Sequence, residues 1–357
     1  RWAPRLTPEM LKRLGLGLAI GLAGALIADA AHVPLAWMLG PLFLCMGASV
    51  AGLPAEVPLW MRANFMVLIG LFLGESFEGM SLDDLVRWPI SMAGSVLYMP
   101  VATGLAYLYY RRLVREAPMT ALCSSIPGGV TAVVLVSGAL GADERHVALA
   151  QSLRVAFVVC LAPLIAFGAL GYRDASGAAF AAQELISLSD LAVLLGTSAA
   201  LFLAVRRTNL PVLTMLCPLV ASAVLRLAGL IEGVLPHWLV EIGLLVLGAS
   251  IGGRFAGVAL GRLLRFGLLT FWGTAILMLV AALFAWGVAA ITGLPLIALL
   301  LAYAPGGVAE MSLIAFAIDA DPGFVALHHV VRIVFVMIMV PLMAVWFGAA
   351  KSQPRSL

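Results

Sequence analysis

The sequence predicts an all-α polytopic membrane protein of two inverted repeats, each with about five transmembrane helices plus one broken, re-entrant Pro-Gly-Gly hairpin. Three observations carry that prediction. Hydrophobic residues make up 63% of the chain and charged residues 11%, with a mean hydropathy of +1.10, whereas a soluble domain carries about 25% charged residues. A Pro-Gly-Gly-Val element occurs twice inside apolar sequence, at Pro127 to Val130 and at Pro305 to Val308. The charge of equivalent loops also changes sign between the two halves.

Taken in order, apolar spans are expected at about 11–31, 35–53, 59–77 and 89–110, then a broken segment at 117–141 and a span at 147–170. Each is long enough for a hydrocarbon core of roughly 30 Å at 1.5 Å rise per residue. A polar-leaning linker, 172–189, separates repeat one (1–171) from repeat two (190–357). Repeat two has spans at about 186–205, 213–231, 238–255 and 266–291, a broken segment at 295–319 and a span at 324–347. Arg1 to Arg13 leads into the first span with no recognisable signal-peptide cleavage site. Cys45, Cys123, Cys160 and Cys217 lie in apolar stretches without ligand spacing and read as small core residues. Trp60, Trp238, Tyr109 and Tyr110 fall near span ends and read as interfacial anchors.

The duplication runs well beyond the Pro-Gly-Gly core. Pro127 and Pro305 are 178 positions apart, and at that offset Asp143 meets Asp321, Arg154 meets Arg332, Phe157 meets Phe335, and Gly70 and Gly74 meet Gly248 and Gly252. With one residue of slippage, Pro34 to Leu42 meets Pro211 to Leu219.

Loop charge bears on orientation, because cytoplasmic loops are enriched in Lys and Arg. Glu75, Glu78, Asp83 and Asp84 follow the third span, while Arg254, Arg262 and Arg265 follow its counterpart. Arg111, Arg112 and Arg115 precede the first break, while the matching Thr292 to Pro295 carries no charge. Inversion needs an odd number of crossings per repeat, and a broken segment that enters and leaves on one side supplies it. Its arms, Met119 to Ile126 and Val130 to Leu140, are about 12 and 16 Å long, half a bilayer each. The alternative is a kinked helix that crosses fully. The hairpin arrangement puts both termini in the cytoplasm.

A Pro followed by two glycines cannot continue a helix smoothly. In lipid such a break persists only where protein or a wet cavity satisfies the freed backbone. Two matched breaks point to a transporter's binding site. Arg154 and Arg332 lie about 12 Å into their spans, where an arginine pairs or lines a cavity. Either they coordinate an anionic substrate, or they pair with hairpin carbonyls or with carboxylates such as Asp143 or Asp321. Ser124, Ser125, Thr131, Tyr303 and Ser312 offer hydroxyls around the breaks. Gly128, Gly129, Gly306 and Gly307 offer amides at half-helix N-termini, whose dipoles favour anions. Glu310, whose counterpart is Ala132, is read as an ion-coupling carboxylate or as a partner for Arg332. His328 and His329, one turn before Arg332, read as proton-relay or packing groups.

The two Pro-Gly-Gly segments, the second running Pro305-Gly306-Gly307-Val308-Ala309-Glu310-Met311, and the Pro34 to Pro41 and Pro211 to Pro218 elements resemble the bacterial AbrB-type membrane protein family with its AbrB duplication. Its members carry the labels ammonia monooxygenase and AbrB family transcriptional regulator. Three functions follow as hypotheses. An enzyme is not expected: His32, His146, His237, His328 and His329 form no metal-ligand cluster, and no cofactor is implied. Nucleic-acid binding needs a soluble basic module that no loop is long enough to hold. The expectation is a secondary transporter in the bacterial inner membrane, elevator-like by analogy, for a small solute, with an anion as one reading of its charge. A coupling proton or cation and a homodimer are left open. A membrane sensor that influences gene expression indirectly is the alternative.

Overall fold

The computed structural model describes residues 7–55, 57–78, 86, 88–128, 130–169, 184–205, 207 and 213–351. The described residues are helical, with one isolated bridge between Leu185 and Val234. The chain runs α1 (Pro8–Ala30), α2 (Ala36–Val50), α3 (Leu59–Glu75), α4 (Trp88–Leu108, prolonged by a π-helical turn to Val114), α5 (Pro118–Ser125), α6 (Val130–Ser137) and α7 (Glu144–Pro163). It continues through α8 (Leu188–Val205), α9 (Leu213–Leu227), α10 (His237–Gly252), α11 (Leu260–Thr292), α12 (Leu296–Tyr303), α13 (Val308–Ala317) and α14 (Pro322–Lys351). Among the described residues seven helices are long and apolar enough to cross a membrane, against the ten spans expected; α2, α3 and α9, of 15, 17 and 15 residues, are shorter. The protein is a multi-pass membrane protein. Most of the linker 172–189, and Gly129 at the first break, lie outside the described residues.

The helices pack into two compact units, and each unit draws on both halves of the sequence. One contains residues 1–84, 162–260 and 312–323; the other contains 85–161, 261–311 and 324–357. The division falls inside α13, between Met311 and Ser312.

In the first unit, glycines let helix backbones touch. A methyl on Gly24 of α1 would run into the Gly40 backbone of α2, a close approach that suits membrane helices, whose association depends on tight van der Waals packing. Gly70 and Gly74 of α3 abut Met215 and Ser222 of α9, so these helices run parallel. Gly248 and Gly252 of α10 abut Met38 and Leu42 of α2 in the same sense. The contacts are equivalent across the duplication, with the roles of the halves exchanged. Helix α3 runs against α10, because Glu75 accepts from the Leu235 amide at 2.8 Å while Ile69 faces Gly243. It follows that the equivalent helices α2 and α9 are antiparallel, as are α3 and α10.

The acidic cluster after α3 is not simply a loop charge. Glu75 ends α3, and it and Glu78 pair with Arg226, a buried residue of α9. Arg226, in the last turn of α9, reaches these carboxylates because α3 and α9 pack in parallel register, which loop counting does not test.

In the second unit, α4 runs against α11: Tyr98 packs on Phe284 with ring centroids 6.0 Å apart, and the Tyr109 hydroxyl donates to Leu269 O at 2.9 Å. Helix α7 runs with α11, through His146 on Phe266 (4.3 Å) and Phe157 on Phe271 (5.6 Å). Helix α14 runs with α4, through Phe324 on Trp88 (5.3 Å) and His328 on Ser91 (2.8 Å). Hence α4 and α11 are antiparallel, and so are α7 and α14. Tyr110 departs from its reading as an interfacial anchor: it is buried, with its hydroxyl against Gly273. Trp238 is exposed.

Both broken segments double back. Thr120, near the start of α5, accepts from the Asp143 amide just before α7 at 3.1 Å, and further along Gln151 and Arg154 of α7 reach Cys123 and Ile126 of α5. Helices α5 and α7 therefore run parallel from a common side, and α6 between them returns to it. His329 and Arg332 of α14 reach Leu301 and Ala304 beside α12 in the same register.

Candidate functional site

The candidate site lies in the second unit, where the two breaks place matched groups. Each break is held by an arginine from the helix that follows its hairpin. Arg154 Nη1 donates to Ile126 O at 2.6 Å; Arg332 Nη1 donates to Ala304 O at 2.7 Å and to Ala302 O at 3.1 Å. These carbonyls are left over where α5 and α12 end, since the last carbonyls of a helix have no intrahelical partner. One turn earlier, Gln151 Nε2 donates to Cys123 O at 2.7 Å and His329 Nε2 contacts Leu301 O at 3.1 Å, again at the offset of 178. A carbonyl can only accept, so His329 carries its proton on Nε2. Of the structural alternatives for the arginines, pairing with hairpin carbonyls is the one observed. Among the described residues neither guanidinium has a carboxylate within ion-pair distance.

The arginines are not exhausted by these bonds. Arg154 and Arg332 are 2% and 1% exposed, and among the described residues Nε and Nη2 of both lack hydrogen-bond partners. The Ser124 and Tyr98 hydroxyls and Gln151 Oε1 are buried and likewise unpartnered. An orphaned buried donor costs about 1–3 kcal/mol, more when charged. Six buried donor atoms here are thus without a hydrogen-bond partner among the described residues. The elements converge: a Cβ on Gly128, at the first break, would sit 3.9 Å from Arg332 Nη2, and Arg332 Cζ lies 5.7 Å from the Tyr98 ring centroid. Tyr98 is within electrostatic reach of both arginines.

Other expected site residues are placed as follows. Ser125 donates to Ala121 O within α5 at 2.6 Å. Gly128 has φ 106°, a left-handed conformation that glycine adopts without penalty. Gly129 and the Thr131 side chain lie outside the described residues. Tyr303 stacks on Tyr98 with centroids 6.0 Å apart and donates to Ser91 O at 2.5 Å. Gly306 abuts the Met311 thioether. Glu310 is buried in the first turn of α13, its carboxylate folded back against Gly307. An acidic group there complements the positive end of the helix dipole. Ser312 is buried with an unpartnered hydroxyl, in the segment that packs with the first unit. His328 Nδ1 faces Phe324 O at 2.7 Å and so carries a proton, while Nε2 meets Ser91 Oγ at 2.8 Å.

Tyr98 and Gln151 were not singled out from the sequence. Gln151 carried a usable signal, a buried amide occupying the position of His329. Tyr98 carried none, because a tyrosine in an apolar span reads as packing until its neighbours are known.

At the open end of the first hairpin, His146 meets Glu116 at 2.6 Å; the matching positions in repeat two are Phe324 and Leu294.

Comparison with known proteins gives one family. The profile described as Transition state regulatory protein AbrB matches residues 2–106 and 37–348. A protein of Escherichia coli (strain K12) named "Putative regulator AbrB" is 32% identical over 276 residues, covering 73% of this chain and 74% of that protein. "Uncharacterized protein YhjN" of Bacillus subtilis (strain 168) is 26% identical over 183 residues, covering 48% and 46%.

Proposed function

The chain belongs to the AbrB family, and from that premise and the geometry at the two breaks we propose that it is a secondary transporter for a small anion. The observation that carries this reading is the set of buried, unpartnered Nε and Nη2 atoms on Arg154 and Arg332. Two guanidiniums held in an apolar interior, with no carboxylate within ion-pair distance among the described residues, are costly, and an anion that docks on them offsets the cost. The antiparallel course of equivalent helices supports two inverted repeats, the architecture in which a site at the repeat interface is opened to each side in turn.

The proposal places the protein in the bacterial inner membrane with both termini in the cytoplasm and the solute at the hairpin breaks. Glu310 is assigned to coupling, because it is a buried carboxylate at the second break with no counterpart at the first. His328 is assigned to a proton path through Ser91. No enzymatic step is assigned. The name of the Escherichia coli relative attaches regulation to that protein; for this chain a regulatory effect would be indirect, through the anion it binds.

The test is a thermal-shift screen of purified protein against mono- and dicarboxylates, inorganic phosphate, sulfate, neutral sugars and amines, because a bound ligand stabilises the native state. Stabilising anions are then assayed for flux in proteoliposomes. Flux supports a transporter; saturable binding without flux replaces it with the sensor; stabilisation by amines or sugars alone rejects the anion site.

A further inference from the structure

We propose that the solute is a dicarboxylate, one carboxylate for each arginine; this rests on the reading of the breaks as an anion site and makes it specific. The geometry of the guanidinium is the first reason. In both arginines Nη1 is spent on the hairpin carbonyls, and the two atoms left over are Nε and Nη2. Those two N–H groups lie on one edge of the planar group and point the same way, forming the two-pronged fork that matches the two oxygens of a carboxylate. A random pattern of unsatisfied atoms would not leave the same fork intact in both residues.

The second reason is anchorage. Arg154 is tied to the end of α5 through Ile126, and Arg332 to the end of α12 through Ala302 and Ala304. Each guanidinium is thus anchored through Nη1 to its own hairpin, which leaves its Nε/Nη2 edge to take up a carboxylate of its own. The third reason is charge. Two buried guanidiniums with no carboxylate within ion-pair distance among the described residues are balanced by two negative charges, and a monoanion leaves one of them uncompensated. The buried, unpartnered hydroxyls of Tyr98, whose ring centroid lies 5.7 Å from Arg332 Cζ, and of Ser124 in the last turn of α5 add neutral donors.

The experiment measures binding of butyrate, succinate, glutarate and inorganic phosphate to the full chain in detergent, by calorimetry and by thermal shift. Succinate or glutarate is expected to bind at least about tenfold tighter than butyrate, the gain of one further charged hydrogen-bonded contact. Arg154→Gln and Arg332→Gln should each reduce the dicarboxylate to about the affinity that butyrate shows for the unaltered protein, at least about a tenfold loss, while the double variant loses anion binding altogether. Glutamine is chosen because its amide can still donate to the hairpin carbonyl, as Gln151 does to Cys123. If the glutamine variants do not fold, the comparison of butyrate with succinate on the unaltered protein decides alone.

Equal binding of butyrate and succinate overturns the two-carboxylate inference and leaves the anion site standing. Phosphate that binds as tightly as the best dicarboxylate also overturns it, since one compact dianion would then satisfy both forks. Failure of every anion to bind rejects the underlying site instead.

Discussion

Arg332 donates from Nη1 to Ala304 O at 2.7 Å, so the second break is held by the same kind of residue at the same register as the first. The bond gives the arginine a structural task that is separable from its unpartnered edge. Substituting Arg332 by Ala strands the carbonyls of Ala302 and Ala304 and should cost about 1–3 kcal/mol of stability. Arg332→Lys keeps one charge but loses the fork, so it should retain more stability than it retains anion affinity. Thermal unfolding and binding measured side by side check the split; parallel losses in the two readouts would contradict it.

Glu310 and Arg332 are not an ion pair in this structure, although their spacing allowed one. Their stability losses should therefore add within about 0.5 kcal/mol in a double-mutant cycle of Glu310→Ala and Arg332→Ala. A coupling energy above about 1 kcal/mol, with the double variant recovering stability, would show that the two charges brace each other.

Arg226 offers the opposite case. It is buried between Glu75 and Glu78, and removing it strands a carboxylate that has little access to water. Arg226→Met should destabilise by about 3–5 kcal/mol, and Arg226→Met combined with Glu75→Gln should recover part of that loss. Additive losses at this site would mean that Glu75 is stabilised by the Leu235 amide alone.

The two glycines at the breaks should fail for different reasons. Gly128→Ala meets only ordinary contact but must adopt φ 106°, a strain of about 1–3 kcal/mol. Gly307→Ala instead collides with the Glu310 carboxylate, so Glu310→Ala should rescue it. Stability of the three single variants and the two double variants distinguishes the mechanisms, and rescue of Gly128→Ala by Glu310→Ala would refute the distinction.

Topology is open to labelling. Cysteines placed singly at positions 112 and 142, on a background lacking the four native cysteines, should react with an impermeant reagent from one membrane face, and a cysteine at 294 from the other. Helices α5 and α7 start together, which puts 112 and 142 on one side, and α4 and α11 are antiparallel, which puts 294 opposite. Labelling of 112 and 142 from opposite faces would replace the hairpin with a crossing helix.

The class, most of the spans and the two breaks were legible in the sequence alone, because each is a local property; α2, α3 and α9 are shorter than the spans expected for them. An apolar run of about 20 residues is a helix in lipid whatever it touches, and Pro-Gly-Gly interrupts it by its own backbone chemistry. Comparing Pro127 with Pro305 reveals the repeat without coordinates, and the depth of Arg154 and Arg332 already marked them as needing partners. Which partners they took was decided by tertiary structure. Ile126 and Ala304 became acceptors because the hairpins fold back beside α7 and α14, and Tyr98 joined the site because α4 packs along α14. Glu75 left the acidic loop for Arg226 because glycines bring α3 against α9. Each of these contacts joins residues 28 or more positions apart. Such a meeting depends on helix direction and register, and hydropathy, being a sum over neighbours in the chain, carries neither.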